Sequence, residues 1–295
     1  MGDGLVGLIG GSGLGDALTK HAMGKAKSVE VDTPFGKPSA PFLMTEVGGQ
    51  PVAILARHGQ GHRFNPSQVP YRANIFAMKK LGVTHILASG ATGILRKSIA
   101  PRDLVICDQV IDKTLRPGRT FFDDFVAHVE FSSPFCSCLR KHLLAVGKTM
   151  AVTVHPGGTY ICMEGPQFST RAESLMHREW GGDLIGMTVM PEAKLAREAE
   201  ICYASIGVPT DYDCWREHEP GVAADKVLEM IIANLAAGTA NAVELIQRAV
   251  PGIAKAAGAD CPCRSALARA IWTDRKVIDP KAIEKLGPLV GKYLK

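Results

Sequence analysis

Residues 43–59 read Leu-Met-Thr-Glu-Val-Gly-Gly-Gln-Pro-Val-Ala-Ile-Leu-Ala-Arg-His-Gly. Two runs of strand length, Leu43 to Val47 and Val52 to Ala56, flank Gly48-Gly49. A glycine pair between such runs predicts a β-hairpin, because both residues of the tight turn need the left-handed conformation. The second run is continuously apolar, as expected of a strand covered on both faces. A hairpin among buried strands predicts a mixed sheet. Where the apolar run stops, Arg57 and His58 emerge together, at the kind of strand end where α/β proteins hold ligands.

The same alternation extends through the chain. Strands are expected at Leu5 to Ile9, Ser28 to Val31, His85 to Ala88, Leu104 to Ile111, Ala151 to Val154, Thr159 to Met163 and Ile201 to Ile206. Helical spacing runs over about 70–80, 136–146, 170–180, 191–199 and 223–249. Pro70 and Pro191 suit first helical positions, and Thr170-Arg171-Ala172-Glu173 has capping-box form. Strands alternating with helices predict the α/β class, with a central mixed sheet flanked by helices. Beyond residue 250 the composition turns small and basic. Leu267, Ala268 and Ile271, then Ile283, Leu286, Leu289 and Val290, recur at helical intervals. We read 251–295 as a C-terminal helical extension of a single domain, 1–295, whose core is 1–250.

Composition narrows the partners. The 295 residues are 46% hydrophobic and 21% charged, which supports a sizeable core and excludes disorder as the main state. A formal net charge of +5 spread along the chain is too weak to predict nucleic acid, so a small molecule is the expected partner. The most apolar stretch, 222–248, is broken by Asp225, Lys226, Glu229 and Glu244, and no membrane span or anchor is expected. The N-terminal segment has no export signal, so a cytoplasmic location with reduced thiols is expected. Eight cysteines include two C-x-C pairs and no C-x-x-C, so no metal site is expected from their spacing.

Four further segments bear on chemistry. Gly10-Gly11-Ser12-Gly13 follows the first strand and reads either as an anion-binding loop or as a plain turn. Ser89-Gly90-Ala91-Thr92-Gly93 offers the same pair of readings after the strand ending at Ala88. Glu164-Gly165-Pro166-Gln167-Phe168-Ser169 puts an aromatic ring and a hydroxyl ahead of the capped helix; Phe168 is either a stacking platform or core. Asp211-Tyr212-Asp213 places two carboxylates near a strand end. In an extended segment they face one way, and their repulsion would make one a general acid. His58 and His62 are four apart without the Glu of a zincin, and no P-loop is present. No Ser-His-Asp order or covalent nucleophile stands out, so an attacking anion is the simplest chemistry.

At these residues the sequence closely resembles the S-methyl-5'-thioadenosine phosphorylases, within the trimeric purine nucleoside phosphorylase family. The resemblance rests on Ile9 to Leu14, Val31 to Pro38, Ala56 to Gly59, Glu164 to Ser169 with Arg171 to Ser174, Met187-Thr188 with Pro191-Glu192, and Ile201 to Ser205 leading to Thr210 to Trp215. These segments stand in the family's order. The resemblance implies a partly barrel-like mixed sheet, a homotrimer or assembly of trimers, and phosphorolysis with inorganic phosphate as co-substrate and no cofactor. It implies that phosphate is held by Ser12, Arg57, His58, Thr188 and the amide of Ala91. Asp211 would donate to purine N7 and Asp213 would recognise the 6-amino group. Phe168, Ser169, Gly186 and Met187 would border the base and ribose. Ala224 and Val227 would line the methylthio pocket, with His128 reaching in from the adjacent subunit.

Three departures stand out. Gly90 occupies the place of a phosphate-binding Thr of the animal enzymes, Gly186 that of an Asn beside the base, and Ala224 that of a common Val. The second also occurs in methylthioinosine-cleaving relatives. That leaves a methylthioinosine or broader purine nucleoside phosphorylase as the alternative within the fold, and a non-catalytic nucleotide sensor outside it. Asp211, where the 6-oxopurine enzymes carry Asn, favours a 6-amino purine, since a carboxylate accepts where an amide also donates. The tail with Cys261-Pro262-Cys263 resembles archaeal-type members, which implies Cys261 and Cys263, with Cys138 and Cys202, as candidates for disulfides.

Overall fold

Gly48 and Gly49 have φ of 56° and 80°, so the glycine pair makes the left-handed turn that its position demands. It joins β3 (Phe42–Val47) to β4 (Gln50–Ala56) as an antiparallel hairpin. In this computed structural model, which describes residues 4–11, 17, 26–216 and 224–294, the hairpin opens an eleven-stranded mixed sheet. The other strands are β1 (Leu5–Gly10), β2 (Lys27–Val29), β5 (Val83–Ile94), β6 (Leu104–Ile106), β7 (Gln109–Asp112), β8 (Val154–His155), β9 (Thr159–Cys162), β10 (Leu184–Gly186) and β11 (Cys202–Asp211). The order is β2-β3-β4-β1-β5-β10-β9-β7, and β11 branches from β5 toward β6 and β8. Among the described residues the sheet is branched and open rather than a closed barrel.

The continuous apolar runs have the expected cause. On β4, Val52 and Ile54 join one core cluster while Ala53 and Leu55 join another. On β11, Cys202, Ala204, Ile206 and Val208 point into the first cluster and Tyr203 into the second. Both faces of the sheet are therefore walled. One wall contains residues of α1 (Tyr71–Lys80) and α4 (Val189–Glu198), the other residues of α2 (Ser137–Gly147) and α5 (Ala224–Ala249). Between α2 and α4 lies α3 (Arg171–Glu179), started by the anticipated capping box: Glu173 N donates to Thr170 Oγ1 and Thr170 N donates to Glu173 Oε2.

Past α5 come only short helices, α6 (Ile253–Ala256), α7 (Pro280–Lys285) and α8 (Gly287–Val290), with intervening 3-10 turns. They serve both walls, since Ile253, Ala257, Cys261 and Cys263 pack in one and Leu267, Ile278, Leu286, Leu289 and Val290 in the other.

Several elements depart from expectation. The segment Ser89 to Gly93 is not a turn, because β5 runs through it for twelve residues. The run 104–111 divides into β6 and β7, and β10 was not anticipated at all. All eight cysteines are free thiols, so the disulfides suggested by resemblance are not formed.

Candidate active site

The extension of β5 explains how distant motifs meet. Its Ser89 to Gly93 segment pairs in parallel with Ile206 to Asp211 of β11, and its Gly93-Ile94 end pairs antiparallel with β10. Residues from four separate motifs therefore line one strand.

At the head of that segment lies Arg57, 2% exposed, its backbone N–H bonded to Gly10 O at 3.0 Å. Its Nη1 donates to Ser89 O at 2.9 Å, while Nε and Nη2 donate to Glu192 Oε2 and Oε1 at 2.7 and 2.8 Å. Tyr203 Oη donates to the same Glu192 Oε1 at 2.8 Å. Burial alone would weaken the guanidinium's hold on its proton; the Glu192 carboxylate more than reverses this, and the group stays charged. Glu192 was not singled out for a role in the sequence. Its signal is a carboxylate on α4, a helix buried nearly all round, where a charge demands a partner.

Two glycines border these groups. A Cβ on Gly11 would lie 3.3 Å from Arg57 Nη1, and one on Gly90 would lie 3.4 Å from Thr188 Oγ1. Arg57, Thr188, Gly11 and Gly90 thus converge on one small space, a fixed cation beside a hydroxyl and a strand end. Ser12 lies outside the described residues. His58 is buried beside Arg57, and its Nδ1 lies 2.9 Å from Phe64 O, an acceptor, so Nδ1 carries the hydrogen. Burial and the neighbouring Arg57 charge push its pKa down to about 4, leaving Nε2 of the neutral ring as an acceptor. The ring of His62 stacks on it at 4.1 Å. Ala91 is exposed on β5, level with Val208.

Three residues further along β5, roughly 10 Å at extended rise, Gly93 makes room for Asp213. A Cβ there would sit 3.3 Å from Asp213 Cβ. The expected geometry of the carboxylate pair is corrected. The strand ends at Asp211, Asp213 turns left-handed with φ of 46°, and its N–H folds back onto Asp211 Oδ2 at 3.1 Å. The two side chains are not successive rungs of an extended face. Asp211 Oδ1 accepts from Thr210 Oγ1 at 2.6 Å. Asp213 Oδ2 is buried and, among the described residues, has no hydrogen-bond partner. A buried acceptor of that kind is costly unless something donates to it.

The walls around the carboxylates are apolar and aromatic. Met163, Ile185, Met187 and Trp215 belong to one cluster, and Trp215 Nε1 donates to Ile94 O at 2.7 Å. Met187 Sδ fills the place a Cβ on Gly165 would take, at 2.6 Å. Gly186 is likewise forced, because a Cβ would collide with the hydroxyl of buried Tyr160, which also lies beside the Thr188 backbone. Tyr160 is a second residue that sequence reasoning missed. Phe168 is 83% exposed, which rules out the core reading for its ring. Ser169 is drawn in through its carbonyl, which accepts from Cys214 Sγ at 3.2 Å. The loop carrying both is braced by buried Arg116, whose guanidinium donates to Glu164 O at 2.8 Å and to Met190 O at 3.0 Å.

The remaining expected residues stand further out. Ala224 begins α5 and Val227 is half-buried in its first turn; Asn234 of the same helix donates to Thr210 O at 2.9 Å. His128 is exposed, its N–H bonded to Ala270 O at 2.8 Å and its ring edge-on to Trp272, 72% exposed. No hydrogen bond ties it to the residues around Arg57 or Asp213 among the described residues.

The model of the phosphorylase superfamily matches residues 5–251. An S-methyl-5'-thioadenosine phosphorylase of Geobacter sulfurreducens is 46% identical, over 98% of this chain and 99% of its own. A methylthioadenosine phosphorylase structure from an antarctic soil metagenomic library is 42% identical with a TM-score of 0.88, covering 98% of this chain and 99% of its own. A variant adenosine/methylthioadenosine phosphorylase of Schistosoma mansoni, solved with methylthioadenosine, is 36% identical with a TM-score of 0.76, covering 89% and 96%.

Proposed function

The chain belongs to the phosphorylase superfamily, and on that premise we propose that it cleaves S-methyl-5'-thioadenosine with inorganic phosphate to adenine and 5-methylthioribose 1-phosphate, a pentosyl transfer in purine and methionine salvage. The observation that carries the reading is the pair of unlike grips along β5. A charged, immobilised guanidinium stands at Ser89-Gly90, and a buried carboxylate oxygen without a donor among the described residues stands at Gly93. Their spacing of roughly 10 Å suits a nucleoside with phosphate under its ribose.

In this mechanism Arg57, Thr188, Ser12 and the amide of Ala91 hold hydrogen phosphate, whose remaining P–OH donates to Nε2 of neutral His58. A phosphate oxygen bonds to the anomeric carbon as the bond to N9 breaks, and the electron pair passes to the purine. Asp211 delivers a proton or hydrogen bond to N7, which makes adenine the better leaving group. The phosphate charge stabilises the oxocarbenium-like sugar between them. Asp213 Oδ2 accepts from the 6-amino group and gains its missing partner. Met187 packs under the ribose, and Phe168 folds over the base. Ala224 and Val227 receive the methylthio group. The working form is a homotrimer or an assembly of trimers in the cytoplasm, without a cofactor. The exposed His128–Trp272 face supplies the 5' end of a neighbour's site.

A substrate panel with phosphate tests this reading. Adenine should leave methylthioadenosine far faster than hypoxanthine leaves methylthioinosine or inosine; the reverse order overturns it. Asp211→Asn should lower kcat on methylthioadenosine by about 10²- to 10⁴-fold. A wild-type rate in that variant would remove Asp211 from the proton path.

A further inference from the structure

Away from the site, Cys136, Cys202, Cys261 and Cys263 bring their four sulfurs within 4.8 Å of one another, and all four residues are buried. Cys136 Sγ lies 3.6 Å from Cys261 Sγ. Four thiolates on one zinc ion, each at about 2.3 Å, stand about 3.8 Å apart along the edges of the tetrahedron. The observed spacing is therefore close to that of a closed tetrathiolate site.

The donors arrive from three separate segments. Cys136 caps the start of α2, Cys202 opens β11, and Cys261 and Cys263 flank Pro262 in the tail. Backbone bonds fix them independently of any ligand: Cys136 N donates to Tyr203 O at 2.8 Å and Cys261 N to Gly258 O at 3.1 Å. Cys138, named by the resemblance, is only half-buried and stays outside the set; Cys136 takes that place. A cleft of about 550 Å³, bordered by Phe135, Arg197, Ser265 and Arg269, opens onto Cys136, Cys261 and Cys263 and gives an ion a way in.

We propose that these four cysteines bind one structural Zn²⁺, which fastens residues 261–263 of the tail to α2 and β11. A chain spacing of 125 residues between Cys136 and Cys261 makes this a long closure, the kind whose cross-linking most restricts the unfolded chain. The C-x-x-C rule could not reveal it, because only one of the two C-x-C pairs contributes both members and the other ligands are distant in sequence.

The test uses the untagged full chain, purified under reducing conditions and exhaustively dialysed. One zinc per chain by elemental analysis is expected, with its release by a mercurial following the loss of free thiols. Replacement by Co²⁺ should give the intense visible bands of a tetrahedral cobalt tetrathiolate. The Cys261→Ser/Cys263→Ser variant should lose the metal and melt at a lower temperature. If that variant does not fold, the wild-type metal content and cobalt spectrum decide. Wild-type protein that carries no zinc after growth and refolding in excess zinc overturns the proposal. So does an intact mass lower by two hydrogens for each disulfide among these cysteines.

Discussion

Arg57 is held at three nitrogens before any ligand arrives, by Ser89 O and by both oxygens of Glu192. Such a side chain needs no reordering when an anion binds, so rigidity is its contribution as much as charge. Removing one member of a buried ion pair leaves the other uncompensated, at a cost of about 3–5 kcal/mol. Glu192→Gln should therefore lower stability by roughly that amount and raise the KM for phosphate, read by urea unfolding and by phosphate titration of the rate. An unchanged phosphate KM would mean that Glu192 only supports the fold. Arg57 and His58 were legible because they end an apolar run. Glu192 was not, since its partner stands 135 residues away and only the folded sheet joins them. Tyr160 and Gly186 make a similar hidden pair: the phenol occupies the space that a side chain at Gly186 would need.

Local signals survive best at the level of elements. The hairpin glycines and the Thr170–Glu173 box form where the sequence puts them, because each rests on interactions within a few residues. Thr170→Ala removes the acceptor for Glu173 N and should cost about 1 kcal/mol, a loss measurable by thermal or chemical unfolding. No change in stability would show that the loop before α3, rather than the cap, sets the helix start. Two elements escaped for the opposite reason. Ser89 to Gly93 has the composition of a turn, yet neighbours on either side hold it as strand. Three-residue β10 is too short to show a period, and its existence depends on β5 and β9. The Asp211–Asp213 pair was visible as chemistry, but its geometry was not, because the left-handed turn at Asp213 answers to Gly93 across the sheet.

For the molecule as a whole, buried histidines and a buried glutamate shape the pH response. His58 is pushed down to about 4, chiefly by burial and then by Arg57, and burial also lowers His85 and His177. In the folded state these rings stay neutral below about 6.5, where the unfolded chain takes up protons. The unfolded state then binds more protons, so stability falls as pH drops from about 6.5 toward 4. Glu198, raised to about 7 by burial, acts in the opposite sense, since the folded state keeps its proton at pH values where the unfolded carboxyl has lost it. With Glu198 replaced by Gln the opposing group is gone, and the urea midpoint of that variant at pH 5 should lie below its midpoint at pH 7.5; equal midpoints would contradict the neutral-histidine account.

The tail carries a different consequence. Residues from Ile253 to Leu294 complete both walls of the core, and the ribosome makes them after the body they cover. While the nascent chain still lacks them, each wall of the core is incomplete and leaves apolar surface open, the condition in which chains aggregate or recruit chaperones. Final consolidation of this core is thereby deferred until residues 253–294 have left the exit tunnel.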